Sequence, residues 1–148
     1  MPKIEQTPPN AANFIYSLRK LGYSFSSALA DIIDNSIGHG EANKIFINYY
    51  PQESWLSIQD NGIGMDKKDL LNAMTLGSSS PESIRGENDL GRFGCGLKTA
   101  SFSQCTKLTV ISNQKNTVSA ACWNLERIKQ SGTWDLEVLN KNEINDLT

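Results

Sequence analysis

Residues 28–47, ALADIIDNSIGHGEANKIFI, decide how this chain is read. Asp31 and Asn35 stand four residues apart, so a helix makes them neighbours on one face while Ile32 and Ile33 turn towards a core. The spacing of Leu29, Ile32, Ile33 and Ile37 predicts that helix, capped by Ser24 or Ser26 and ended by Gly38 and Gly40. A carboxylate one turn from a carboxamide has two uses. The Asn35 oxygen can ligate magnesium, a hard ion that takes oxygen donors. The Asp31 carboxylate can orient or deprotonate a water aimed at a phosphate. Taken alone, the same residues also read as a solvated polar face.

Working outward, residues 1–9 read as a disordered lead-in ending in Pro8 and Pro9. Residues 10–21 carry Phe14, Ile15, Leu18 and Leu21 at helical spacing. Downstream, 44–50 and 55–59 read as strands joined by a turn centred on Pro51. Asp66 is placed to cap a helix to residue 76, and 77–90, rich in Gly, Ser, Pro and charge, reads as a mobile loop. There follow a helix over 94–104, a strand over 107–112, a turn at 114–116 and a strand ending near Trp123. A short helix over 125–129 and a strand over 134–139 complete the pass. Paired helices followed by strands in hairpins predict an α+β fold, a two-layer sandwich over residues 10–148. Its helices lie on one face of a mixed, mostly antiparallel sheet.

The chain's 148 residues suffice for one core, and 39% hydrophobic with 20% charged residues is ordinary for a globular domain. A net charge of −2 provides no basic footprint, so a nucleic-acid partner would have to be met by parts outside this chain. No apolar run approaches the ~20 residues that span a bilayer, and the N-terminus lacks a signal peptide's apolar stretch. Cys95, Cys105 and Cys122 are odd in number and form no C-x-x-C pair, which disfavours a disulfide framework or zinc site and points to a reducing, cytoplasmic setting. His39, the only histidine, reads as a complement to a helix C-terminus. Cys105, Cys122 and the tryptophans Trp55, Trp123 and Trp134 read as packing residues.

Two further clusters carry chemistry. After the second strand comes Asp60-Asn61-Gly62-Ile63-Gly64-Met65. Asp60 at a strand end can accept from an exocyclic amine such as adenine N6. Gly62 and Gly64 let backbone pass close to a flat ligand, and Met65 offers a polarizable surface. A plain D-N-G turn is the alternative. The other cluster, residues 91–99, is GRFGCGLKT. Glycines ahead of a helix expose N–H groups to phosphates, and Lys98 could add positive charge. A Walker A loop is excluded because Leu97 separates Gly96 from Lys98, and a Rossmann fingerprint because the order is G-x-x-G-x-G, late in the chain.

The order of the three blocks resembles the GHKL (Bergerat-fold) ATPases, which include heat-shock chaperones, gyrase B subunits, MutL, MORC proteins and sensor histidine kinases. The likeness covers residues 23–112 and is nearest to the heat-shock-chaperone and MORC types. It implies ATP and Mg2+ as ligands, with Asn35 on the metal and Asp60 on the adenine amine. Gly62, Gly64 and Met65 would line the base pocket. Gly91, Arg92, Phe93, Gly94, Gly96, Leu97, Lys98 and Thr99 would form the phosphate segment, and 77–90 the ATP lid. Asp31 stands where hydrolysing members carry a glutamate, so ATP binding is implied more firmly than hydrolysis. The resemblance also implies an ATP-dependent homodimer. Three functions stay open: an ATPase switch, a non-hydrolysing nucleotide sensor, and the catalytic part of a histidine-type kinase. Gly132-Thr133 is either the pair that ends such sheets or part of an earlier section, the second being favoured. The chain would then be an N-terminal fragment of a longer protein.

Overall fold

The computed structural model describes residues 2–20, 23–78 and 96–147. In chain order the elements are α1 (Ala11–Arg19), α2 (Phe25–Gly38), β1 (Ile45–Tyr50), β2 (Trp55–Asp60), α3 (Lys67–Met74), α4 (Gly96–Gln104), β3 (Lys107–Gln114), β4 (Thr117–Asn124), α5 (Leu125–Ser131), β5 (Glu137–Leu139) and α6 (Lys141–Asn145). Local chemistry explains most helix starts. Asn10, Ser24 and Asp66 each accept the backbone N–H three residues ahead, so α1, α2 and α3 begin where a side chain satisfies an otherwise unpaired donor. Asn140 and Glu143 close a reciprocal capping box on α6, a helix the spacing rules do not foresee.

Helices and antiparallel sheet form the expected α+β arrangement. β1 and β2 make one hairpin, and β3, β4 and β5 a separate antiparallel sheet. Lys115 and Asn116 both have positive φ, so a two-residue turn joins β3 to β4 and β3 runs to Gln114 rather than 112. β5 keeps only three residues of the predicted 134–139. Gly132, at φ 72, ends α5 as its left-handed cap, so Gly132-Thr133 lies in no strand.

The core sits between β3–β4 and the helices. Ala11 and Ile15 of α1, Leu70 and Met74 of α3, Phe102 of α4 and Ile128 of α5 cover Ala121 and Trp123. Aromatic rings meet edge to face from α4 to α1: Phe102 with Trp123 at 6.3 Å, Trp123 with Trp134 at 6.4 Å, and Trp134 with Phe14 at 5.8 Å. Trp123 Nε1 also donates to Met74 O at 2.9 Å, closing the end of α3 over the sheet. Trp123→Phe keeps the ring contacts and strands that carbonyl, so it is expected to cost about 1–3 kcal/mol, read by urea denaturation. An unchanged midpoint would mean that the bond carries no stability.

Two packing expectations need correction. Ile37 is 53% exposed, and the buried positions of α2 are the small residues Ala28 and Ser36. Trp55 is 48% exposed and stacks on Tyr50 at 4.2 Å across the hairpin end instead of entering a core. Cys122 is buried and Cys105 half-buried; burial pushes both thiols above their ordinary range, consistent with packing roles.

Candidate functional site

α2 carries Asp31 and Asn35 on one face, both half-buried. Its C-terminal end is joined to the β2 end by hydrogen bonds that span distant parts of the chain. Ser36 Oγ donates to Asp60 Oδ2 at 2.9 Å, and Gly62 N donates to Asp60 Oδ1 at 2.9 Å. Ile63 N donates to Gly40 O at 2.8 Å. Asn61 Oδ1 accepts from the N–H groups of Asn43 and Lys44, while its Nδ2 donates to Asn43 Oδ1. The 60–63 turn is therefore bound to the loop that leaves α2. A carboxylate has about four lone-pair positions, and two are engaged here, so Asp60 retains capacity for an outside donor.

The two glycines of this turn also have a reason within the protein itself. A Cβ on Gly62 would come 2.3 Å from Gly40 O, and one on Gly64 would come 2.1 Å from Asn113 O. Backbone packing at both positions therefore excludes a side chain, and Gly64 also holds φ +70. Met65 N donates to Ser112 Oγ at 2.7 Å and Gln114 Nε2 donates to Gly64 O at 3.1 Å, tying the turn to the end of β3. Met65 packs partly buried against the core.

Of the glycine-rich segment, Gly91, Arg92, Phe93 and Gly94 lie outside the described residues, as do Cys95 and most of 77–90. Gly96, Leu97, Lys98 and Thr99 form the first turn of α4. Lys98 is 2% exposed, and its Nζ donates to Ala73 O at 2.7 Å and Thr75 O at 2.8 Å. It therefore satisfies carbonyls at the C-terminal end of α3.

One residue missed by the spacing rules is Tyr23, half-buried just ahead of α2, whose hydroxyl donates to Asp31 Oδ2. That bond first, then burial, holds the tyrosine hydroxyl above its ordinary range. Ser36 was missed too. A small polar residue next to Asn35 is a faint signal, and only the chain path aims it at Asp60.

Among the described residues no group of three His, Cys, Asp or Glu side chains could hold a metal. Magnesium fits nonetheless: it is often bound through one or two protein oxygens plus phosphate and water. The Asn35 carboxamide makes no hydrogen bond among the described residues, which leaves its oxygen available.

Residues 23–148 match the family of histidine kinase-, DNA gyrase B- and HSP90-like ATPases. The chain belongs to that family. Its domains bind ATP, in keeping with the GHKL resemblance of the three blocks. The chain is 28% identical over 120 residues to ATPase morc-1 of Caenorhabditis elegans, covering 80% of this chain and 14% of that protein. It is 34% identical over 100 residues to ATPase MORC2B of Mus musculus, covering 62% and 9%. With chaperone protein HtpG of Campylobacter jejuni it shares 31% over 110 residues, covering 68% and 17%. The chain thus spans less than a fifth of each relative's length. No helix among its described residues is long and apolar enough to cross a membrane.

Proposed function

We propose that this GHKL domain binds ATP with magnesium and hydrolyses it slowly, as a switch whose nucleotide-bound form closes residues 77–90 and dimerises. The observation that carries the reading is the Ser36–Asp60 hydrogen bond, which brings the helix bearing Asp31 and Asn35 to the carboxylate suited to an adenine amine. Asp60 receives the exocyclic amine, and Asn35 would supply an oxygen to the metal, whose charge would offset that of the phosphates. Asp31 orients the attacking water and takes its proton. Gly91, Gly94 and Gly96 present backbone N–H groups to the phosphates. Lys98 supplies positive charge to the same phosphates from the start of α4, with its Nζ also on Ala73 O and Thr75 O at the end of α3.

Calorimetric titration with a non-hydrolysable ATP analogue, with and without magnesium, tests the reading. Affinity is expected to rise about tenfold or more when magnesium is present, because Asn35 would help to hold an ion whose charge offsets that of the phosphates. Asn35→Ala is expected to bind equally with and without the ion. Magnesium dependence that survives in Asn35→Ala would place the metal elsewhere.

A further inference from the structure

Asp31 is one methylene shorter than glutamate, so its reach to a water depends on what holds it. We propose that Tyr23 is a positioning residue for ATP hydrolysis, fixing Asp31 through its hydroxyl while α4 fixes Tyr23 through its backbone. The inference rests on the reading of Asp31 as the group that acts on the attacking water.

Tyr23 and Asp31 are eight residues apart, and the tyrosine reaches the carboxylate from ahead of α2. At its other end, Tyr23 O accepts from Gln104 Nε2 at 2.8 Å. Gln104 is the last residue of α4, the helix that starts at Gly96 in the glycine-rich segment. One residue therefore links the end of α4 to the carboxylate on α2. A tyrosine hydroxyl has a single proton to give. Spent on Oδ2, it leaves Oδ1 with no protein donor among the described residues, so a water meets one oxygen of set orientation. An aspartate without this partner turns about two torsions, and each misaligned rotamer lengthens the distance to the water. The raised hydroxyl titration agrees with a proton that stays on the tyrosine.

Phosphate release and ATP titration on the whole chain, comparing wild type, Tyr23→Phe, Asp31→Asn and the double variant, test this. Tyr23→Phe is expected to lower kcat about tenfold, the scale of a lost hydrogen bond to a charged group, with KM changed less than about twofold. In the Asp31→Asn background it is expected to add no further loss, because it acts through that carboxylate. Spectroscopic titration gives a readout independent of turnover. The tyrosinate signal assigned by difference from Tyr23→Phe is expected to move to lower pH in Asp31→Asn.

Equal losses from Tyr23→Phe in both backgrounds, or a raised KM at constant kcat, would overturn the proposal. So would a Tyr23 titration unmoved by Asp31→Asn, which also decides the matter if turnover is undetectable. An inactive Asp31→Asn beside a fully active Tyr23→Phe removes the tyrosine alone. An Asp31→Asn chain with wild-type turnover removes the parent reading of Asp31 and the tyrosine's role with it.

Discussion

Asp60→Asn is expected to weaken ATP binding about a hundredfold, near 2.7 kcal/mol, with little change in stability. The carboxylate accepts from Gly62 N on one oxygen and from Ser36 Oγ on the other. An asparagine preserves both internal contacts: its oxygen still receives the Gly62 N–H, and its amide donates to a Ser36 hydroxyl that rotates to accept. It cannot present acceptors on both sides. A base whose exocyclic amine must donate there finds an amide N–H or a weakened, neutral oxygen, and a site left with a mismatched donor loses more than one hydrogen bond's net value. Calorimetry with ATP and with GTP reads the effect, and thermal denaturation checks that the fold is kept. An affinity within about threefold of wild type, with the fold intact, would take Asp60 out of the base pocket.

Gly64→Ala should have the largest effect on stability. The added Cβ would lie 2.1 Å from Asn113 O, a backbone atom that cannot rotate away, and alanine at φ +70 is strained in its own right. Relief requires the turn to leave β3, which breaks the Met65 N–Ser112 and Gln114–Gly64 O bonds. The expected cost is about 3–4 kcal/mol, a large share of an ordinary domain's stability, and a Tm lower by roughly 10 °C. Gly77 provides the control: it has φ +69, yet among the described residues nothing lies within 4 Å of its would-be Cβ. Gly77→Ala should therefore show only the conformational cost, about 1–2 kcal/mol. Equal losses at the two positions would mean that φ alone matters and that the contact with β3 does not.

Much of the fold was legible because local interactions set it. Asn10, Ser24 and Asp66 start helices by bonding to N–H groups three residues on, and that chemistry is visible in any short window. Asp31 and Asn35 share a face because helical geometry requires it. The turn at Lys115–Asn116 and the extra length of β3 were less legible, since the positive φ values follow from strand pairing as much as from residue type. The buried stripe of α2 was misplaced in part: apolar spacing favoured Ile37, whereas the buried positions are the small residues Ala28 and Ser36, the latter bonded to Asp60.

The sequence by itself determined the order of the three blocks, the helix starts, the α+β class and the types of donor available to a nucleotide and its metal. Tertiary structure decided what surrounds those donors within the protein. Lys98, whose charge suggested a phosphate contact, is buried against Ala73 O and Thr75 O because α4 begins beside the end of α3, where helical carbonyls have no partners of their own. Gly62 and Gly64 are required by Gly40 and Asn113, and Asp60 is held by Ser36, 24 residues away. Tyr23 reaches Asp31 from outside the helix that carries it. Each of these contacts joins segments whose meeting depends on the path of the whole chain. Caps and periodicities act within a few residues, so only they could be read before that path was known.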